Sequence, residues 1–368
     1  NIKTAIAYGN IGLDYLDLGK YDKSKYDLAI KNHVKEKEIF LKECGKFSPE
    51  MAMCFFNIGA VNYWKGNYEK ALDFYKRSYE INIKCFGENH SKIAKLNSNI
   101  GLVYKEQNKL VEALENYNKA LKIFKTNHGE YFHSVSNTYN NIGTIEKQKG
   151  NFEKAIYYYQ KAIKIDKKIF GLDHISIANK YFNIGLVYKT KEEYNKVIKY
   201  YEKSLKIKIV NFGPNHSKVV DQHYDLSKAY REVSNYKKAL FSANKVLKYD
   251  IKNYGLAHKY TAADYSLISS IYDEMKNYKM ALMNVENAFV SNPENYYYPY
   301  KIGEYHEKLK NISQAIKNYV ISANMLKEQN GVEDDDTKEA IQEVIRLAKE
   351  TNNLELLPDW IKKIANDQ

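Results

Sequence analysis

Histidines at a regular spacing are the first residues in this sequence that could do chemistry, because imidazole binds metal ions and transfers protons. In a stacked array, side chains of equivalent loops stand about 10 Å apart, whereas the ligands of one metal ion lie within about 2 Å of it. We therefore predict no metal site, and a packing or capping role for these histidines. Each closes an aromatic-Gly-x-x-His segment: His90, His174, His216 and His258.

A column of asparagines could bind a peptide. Asparagine is a mediocre helix former, and its carboxamide offers a donor and an acceptor that match one peptide group of an extended chain. The column therefore favours a peptide-binding ladder; the alternative is that Asn is common in this sequence and is merely tolerated there. Each stands two residues before a recurring glycine: Asn10, Asn57, Asn99, Asn141 and Asn183.

A column of cations lies on the other side of the same glycines. Stacked cations repel one another unless something anionic lies between them. The column therefore predicts an acidic segment or a terminal carboxylate in the ligand, and the alternative is a solvated face of a lysine-rich protein. The cations follow the recurring position by four residues: Lys105, Lys147, Lys189 and Arg231.

The elements that position these columns are repeats of two helices. Apolar residues fall at helical spacing in two stretches per unit, separated by a turn such as Lys65-Gly66-Asn67. Small residues are expected where the two helices cross, and Tyr rings are expected between units that bury a core only by stacking. The period is 42 residues over most of the chain, and eight units share one register, at Gly12, Gly59, Gly101, Gly143, Gly185, Ser227, Ser269 and Gly303.

Two steps depart from this period. The first is 47 residues, which places five extra residues near the first inter-helix turn, and the last is 34 residues. Residues 337–350 and 354–366 are expected to form a degenerate ninth pair, a polar cap with Pro358 and Trp360 near its end. The acidic run from Glu333 to Asp336 is expected to cap the first of these helices, whose N-terminus favours negative charge.

The small, aromatic, Ala, aromatic, Ala order of these columns resembles the tetratricopeptide repeat (TPR), and the 42-residue period is similar to the long repeats of the kinesin light chain type. The resemblance covers about residues 2–330. It implies an all-α, right-handed superhelical solenoid of about eight TPR helix pairs over residues 1–330, with C-terminal capping helices over 331–368. It also implies that helix-A residues line a concave groove for an extended peptide.

The resemblance divides this groove into zones. The first two units present an apolar and aromatic pocket, the middle units present amides and cations, and the last two turn acidic. A partner peptide with an aromatic or aliphatic anchor, an acidic stretch and a basic end would fit. The pocket comprises Ile6, Leu13, Met53, Phe56, Tyr63 and Trp64, and the acidic zone comprises Asp273, Glu274, Glu304 and Glu307.

Composition restricts the other classes of function. The net charge is +12, but only three of the 57 basic residues are arginine, the side chain that nucleic-acid readers favour. Cys44, Cys54 and Cys85 form no CxxC pair, which suits reduced thiols in a cytoplasmic compartment. No apolar run approaches the ~20 residues that span a bilayer. Because the chain begins without Met, we expect further sequence upstream.

We predict from this a non-catalytic protein-interaction scaffold without cofactor, metal, membrane or small-molecule substrate, because no nucleophile elbow, phosphate loop or metal-spaced Cys/His group is present. Two alternatives stay open. One is a sensor module of a larger signalling or defence protein with a separate effector domain. The other is a single-stranded RNA-binding solenoid.

Overall fold

The structure is a computed structural model that describes residues 1–366. In these residues every regular element is a helix, which confirms the predicted all-α class. The chain divides into two compact units, unit 1 (Asn1–Lys191) and unit 2 (Glu192–Gln368). The handedness of the superhelix and the predicted boundary at residue 330 stay predictions.

Unit 1 contains four helix pairs, repeats 1 to 4, followed by helix A of the fifth repeat. From repeat 2 onward, helix A has 16 residues and helix B has 19, which matches the two apolar stretches of each sequence repeat. The helices are α1 (Ile2–Gly19), α2 (Lys25–Cys44), α3 (Pro49–Trp64), α4 (Tyr68–Phe86), α5 (Ser91–Glu106), α6 (Leu110–His128), α7 (His133–Gln148), α8 (Phe152–Phe170) and α9 (Ile175–Thr190).

Unit 2 begins with helix B of the fifth repeat, and repeats 6 to 8 and two further helices follow. The shortened last step of the sequence corresponds to short helices at the junction of repeats 7 and 8, with 14 and 12 residues. The helices are α10 (Tyr194–Phe212), α11 (Ser217–Glu232), α12 (Tyr236–Tyr254), α13 (Lys259–Glu274), α14 (Tyr278–Ser291), α15 (Tyr297–Lys308), α16 (Ile312–Asn330), α17 (Asp335–Glu350), a 3-10 turn (Leu354–Leu356) and α18 (Asp359–Asn366).

Glycine and tyrosine together let the two helices of a repeat cross closely. A Cβ atom on Gly59 would lie 2.8 Å from the ring of Tyr75, and that buried ring also packs on Leu96 of the next repeat. Where serine replaces this glycine in repeats 6 and 7, its hydroxyl donates to a carbonyl of helix B: Ser227 Oγ lies 2.9 Å from the oxygen of Ala239. The predicted small residues at the crossings are therefore confirmed.

The histidine column caps helices, as predicted. In repeat 6 the Nδ1 atom of His216 accepts from the backbone N–H of Lys218 at 3.2 Å, which satisfies a free donor at the start of α11. Its ring also stacks on Phe212 at 4.7 Å between centroids. The Gly213 between them has φ 80° and ψ 161°, a region that is essentially open only to glycine.

The ends of the chain also follow the sequence prediction. The first inter-helix turn is longer than the later ones, and α2 begins at Lys25, so that Tyr26 is buried while Tyr21 is 93% exposed. Asp334 caps α17 by accepting from the backbone N–H of Thr337 at 3.2 Å. Residues 367–368 of the predicted cap lie outside the described residues.

Candidate peptide-binding clefts

A cleft opens where helix A and helix B of one repeat meet helix A of the next. In unit 1 the first of these, the apolar cleft, lies between α3, α4 and α5 and has a volume of about 370 Å³. Its walls are formed chiefly by Met53, Phe56 and Leu96, with the amides of Asn57 and Asn82. The apolar side chains make it suited to an aliphatic or aromatic group.

The next cleft of unit 1, the amide cleft, lies between α5, α6 and α7 and has a volume of about 170 Å³. Phe56 and Lys95 line both this cleft and the apolar cleft, so the two form one continuous surface. Polar side chains dominate its remaining lining, which comprises Ser98, Asn99, Ser134, Asn137, Thr138 and Asn141 with Phe124.

An equivalent cleft in unit 2, the acidic cleft, lies between α11, α12 and α13 and has a volume of about 470 Å³. Its residues follow those of the apolar cleft by 168 positions, which is four repeats of 42. Aspartates replace the apolar and amide groups: Asp221, Asp225, Asp250 and Asp264 stand where the apolar cleft has Met53, Asn57, Asn82 and Leu96.

One pair of positions determines the chemistry at the base of each cleft. The first residue lies on helix B and the second lies 14 residues later on the next helix A. In repeats 4 and 5 the pair is a buried ion pair, with Lys180 Nζ 2.7 Å from Asp166 Oδ2. The other 42-residue steps hold Phe40 and Cys54, Asn82 and Leu96, Phe124 and Thr138, Lys208 and Gln222, and Asp250 and Asp264. Sequence reasoning missed this column because no single residue type marks it.

The structure places four of the predicted asparagines on the helix-A face of unit 1. Asn57 lines the apolar cleft, and Asn99 and Asn141 line the amide cleft. Asn99 donates to the carbonyl of Lys95 in its own helix at 2.9 Å, whereas Asn57 and Asn141 have no hydrogen-bond partner among the described residues. Asn183 lies outside both clefts and donates to Asn140 Oδ1 at 3.0 Å.

The four predicted cations have different surroundings. Lys105 pairs with Glu106 at 2.7 Å, and Arg231 of unit 2 pairs with Glu274 at 3.3 Å. Lys147 is half-buried and Lys189 is exposed, and neither forms an ion pair within residues 1–366. Burial lowers the pKa of Lys147, because it disfavours the charged form.

The residues of the predicted aromatic pocket separate into two places. Met53 and Phe56 line the apolar cleft, whereas Tyr63 and Trp64 lie at the C-terminal end of α3, with Tyr63 about 10 Å beyond Phe56 along the helix. Tyr63 OH lies 3.5 Å from Glu106 Oε1, to which it donates, and its pKa is raised to about 12 by burial and by the charge of that carboxylate. Trp64 is 50% exposed. Ile6 and Leu13, on α1, are also exposed.

The acidic side chains predicted for the last units are paired within unit 2. Asp273 pairs with Lys308 at 2.7 Å, and Glu307 pairs with Arg346 at 2.9 Å. Glu304 pairs with Lys301, and Glu274 is the partner of Arg231 noted above.

The part of the chain that the structure describes has neither a cluster of metal-ligating side chains nor a membrane-spanning helix. No group of three or more His, Cys, Asp or Glu side chains in residues 1–366 is arranged to hold a metal ion. None of the helices there combines the length and the apolar character that a membrane crossing requires.

Known proteins are similar to this chain in sequence pattern and in fold. Among solved structures, the apo form of the quorum sensor NprR from B. thuringiensis is 19% identical and matches 92% of this chain and 87% of its own, with a TM-score of 0.53. The apo form of RapI is 18% identical and matches 75% and 97%, with a TM-score of 0.51. A putative kinesin light chain from Podospora anserina is 14% identical and matches 54% and 94%, with a TM-score of 0.48.

At these identities the first two structures show a shared fold. A search of curated proteins gives no significant match. A family model described as tetratricopeptide repeat matches residues 3–81, 51–126 and 134–209, together more than half of the chain. The chain therefore belongs to the tetratricopeptide repeat family.

Proposed function

We propose that this protein is a non-catalytic interaction scaffold that binds an extended, partly acidic peptide on the helix-A face of unit 1. An aliphatic or aromatic side chain of the peptide enters the apolar cleft between Met53, Phe56 and Leu96. The peptide backbone then crosses the amide cleft, where Asn99 and Asn141 hydrogen bond to it.

The observation that carries this proposal is the continuity of the two clefts. Because Phe56 and Lys95 line both of them, a ligand anchored in the first lies directly beside the amides of the second. Within the described residues the Oδ1 atom of Asn99 accepts no hydrogen bond, and the side chain of Asn141 neither accepts one at Oδ1 nor donates one from Nδ2. These atoms are therefore available to a peptide group.

The cations of unit 1 support an acidic ligand. Lys147 is half-buried without an ion-pair partner in the described chain, and a buried cation is stabilised when an anion approaches it. Lys95 stands at the junction of the two clefts and likewise has no carboxylate within ion-pair distance in residues 1–366. An acidic residue that follows the apolar anchor would contact Lys95. A second acidic residue farther along the peptide would contact Lys147, which stands ten residues, about 15 Å, beyond the register of Lys95 along helix A.

The test is a selection of peptides by phage display against the whole chain, followed by fluorescence anisotropy with the best labelled peptide. We expect Phe56→Ala and the double variant Asn99→Ala/Asn141→Ala each to weaken binding by about tenfold or more, which corresponds to about 1.4 kcal/mol. Lys147→Gln should weaken acidic peptides and leave neutral ones unchanged.

The matched control is Asn116→Ala on α6. Asn116 donates to the carbonyl of Glu112 at 2.8 Å, as Asn99 does to that of Lys95, but it lines neither cleft. The substitution Asn116→Ala removes an intrahelical hydrogen bond of the same kind and should leave peptide affinity unchanged. Equal affinities for wild type and the cleft variants would contradict the proposal.

The wild-type chain and the cleft variants also distinguish the sensor and RNA alternatives. A sensor shares the scaffold's peptide site, and the fold shared with the quorum sensor NprR supports it only at the level of architecture; it requires a peptide-dependent change in a linked effector. RNA binding would appear as oligonucleotide affinity with a steep salt dependence that the cleft variants do not alter.

A further inference from the structure

The acidic cleft of unit 2 contains a buried acid, Asp264, whose carboxyl group is hydrogen bonded to a second acid, Asp250, and forms no ion pair within the described residues. Asp264 is 3% exposed and faces the cavity between α11, α12 and α13. Its Oδ2 atom is buried and receives no hydrogen bond within the described residues. An ionised carboxylate in this position costs several kcal/mol unless a cation or donors reach it.

The equivalent positions of other repeats show how the chain normally satisfies this site. Asp166 occupies the position of Asp250, and there a lysine at the position of Asp264 supplies the cation, with Nζ 2.7 Å from Asp166. In the apolar cleft the two positions hold Asn82 and Leu96, which need no cation. In the acidic cleft both positions are acids, and neither forms an ion pair within the described residues.

Four basic groups of the chain act on residues of the acidic cleft: Lys208, Lys228, His258 and Lys259. The charges of Asp221 and Asp225 act on Lys208, which donates to Gln222 Oε1 at 2.8 Å. Burial raises the pKa of Asp250, while the hydrogen bond with Asp264 and the charge of His258 oppose this rise. None of these basic groups forms an ion pair with Asp250 or Asp264 within the described residues.

We propose that the acidic cleft binds an organic cation, the ammonium or guanidinium group of a lysine or arginine side chain in a bound peptide, between Asp250 and Asp264. The tyrosines of the cleft, Tyr224 and Tyr260, already have Lys228 and Lys259 of the chain over their rings, at 4.1 and 5.6 Å from the ring centroids. Their remaining ring surface suits the apolar stem of a bound lysine or arginine. The aspartates are not arranged to hold a metal ion. This site is distinct from the peptide site of unit 1 in position and in ligand charge.

Proton release accompanies this binding. Burial and the neighbouring Asp250 raise the pKa of Asp264 to about 8, so that at neutral pH the empty cleft holds a proton on this pair. The arriving cation displaces that proton to solvent and takes its place against the carboxylates. Affinity for a permanently charged ligand therefore rises with pH up to about 8.

The test is isothermal titration calorimetry of the whole chain with three probes. They are an end-capped Ala-Lys-Ala peptide, the same peptide with norleucine in place of lysine, and n-butylammonium. We expect the lysine peptide to bind, the norleucine peptide to give no signal, and lysine affinity to increase about tenfold or more from pH 6.5 to pH 8.5.

The decisive variant is Asp250→Asn/Asp264→Leu, which reproduces the pair Asn82 and Leu96 of the apolar cleft and should therefore pack. It should lower lysine-peptide affinity at least about tenfold, with an unchanged circular dichroism spectrum. The matched control, Glu328→Gln on α16, removes one exposed charge of unit 2 outside the cleft and should bind as wild type does.

Three results would overturn the proposal: equal binding of the lysine and norleucine peptides, no binding of either cation, or full affinity in the double variant. If n-butylammonium binds as tightly as the lysine peptide, the peptide source of the cation is wrong and a free amine is the ligand. The peptide site of unit 1 is tested by variants in other residues, so the failure of one proposal is distinguishable from the failure of the other.

Discussion

The apolar cleft of repeats 2 and 3 and the acidic cleft of repeats 6 and 7 occupy the same place in the repeat and differ in chemistry. Met53, Asn57, Asn82 and Leu96 in the first become four aspartates in the second. The helices around them have equal lengths. A repeat can therefore change what its cleft contacts without changing its backbone, because cleft positions are independent of the small residues and aromatics that hold the helices together.

The largest energetic difference is expected at the pair of positions 14 residues apart, where Asp166 faces Lys180 in one place and Asp250 faces Asp264 in the other. Burial opposes ionisation of Asp166, but its hydrogen bonds, chiefly from Lys180, keep its pKa below the usual value. Lys180→Met would leave a buried carboxylate without its cation, as in the acidic cleft. We expect a loss of about 3–5 kcal/mol in the free energy of unfolding, measured by urea denaturation at pH 7.

The control for this change is Lys180→Met/Asp166→Asn, which removes both charges and should recover most of the stability, since a neutral pair resembles Asn82 and Leu96. A small loss in the single variant would mean that the carboxylate reaches water when the lysine is absent. The comparison between the two clefts would then lose its energetic basis.

The second difference is the pH dependence of stability that arises from Asp264 in the acidic cleft and from Asp166 in the buried ion pair. The folded-state pKa of Asp264, about 8, lies above its unfolded value of about 3.9, so the folded chain holds a proton that the unfolded chain releases. Its contribution to stability is present at low pH and is lost as pH rises from about 4 through 8. The depressed pKa of Asp166 acts in the opposite sense, with stability lost as pH falls.

Between pH 5 and pH 9 the wild-type chain should lose on the order of 2–4 kcal/mol of unfolding free energy through Asp264. We expect this loss to be absent in Asp264→Asn, because the amide carries no charge at either pH. The measurement is urea denaturation at several pH values, with Glu328→Gln as the charge control. A variant whose pH profile has the wild-type slope would show that Asp264 ionises at its ordinary pKa, with water in the cleft.

The fold could be predicted from the sequence because every repeat needs small and aromatic residues at its helix crossing and a cap at its helix start. Gly59 and Gly143 stand against large rings and His216 caps a helix, and periodicity located all three. The acidic run before α17 located the cap at Asp334. The acidic cleft was not predicted, because Asp250 lies on helix B of one repeat and its partner, Asp264, lies on helix A of the next. Their proximity depends on how two repeats pack, which a column read within one repeat does not show.

A related limit applies to the predicted acidic zone, which stays a prediction. Asp273 and Glu307 were interpreted as groove charges from their register, but each pairs with a base outside that register, Lys308 and Arg346. The first repeat shows the same limit, because a buried His33–Glu36 pair at 2.8 Å replaces the tyrosine and serine of later repeats. Columns predict positions, and neighbouring side chains determine whether a charge there is free.

A third difference between repeats 2 and 6 concerns the helix crossing. Gly59 faces Tyr75, whereas Ser227 stands in the same register with Ala243, a smaller side chain. Gly59→Ala should destabilise by about 1–3 kcal/mol, because its Cβ would lie 2.8 Å from the buried ring and this outweighs the better helix propensity of alanine. Ser227→Ala should cost only about 1 kcal/mol, the loss of one hydrogen bond.

Thermal denaturation of the two variants gives the comparison directly. The outcome that contradicts it is a Gly59→Ala chain as stable as wild type, which would mean that Tyr75 can move aside. Tyr75 is 1% exposed and packed on Leu96 and Ile100, so such a movement would have to disturb the next repeat and the floor of the apolar cleft with it.

The smallest difference lies at the N-termini of the two helices that form the clefts. Ser48 caps α3 through its hydroxyl, which accepts from the N–H of Met51 at 3.2 Å, whereas His216 caps α11 through Nδ1 and also stacks on Phe212. His216→Ala should cost about 1 kcal/mol, and His216→Ser should recover the cap but not the stacking. If His216→Ser is as unstable as His216→Ala in urea denaturation, the ring contact rather than the hydrogen bond holds the start of α11, and the two caps are not equivalent. Recovery by serine would instead show that the repeats exchange capping residues as freely as they exchange cleft residues, provided each new side chain satisfies the same backbone donor.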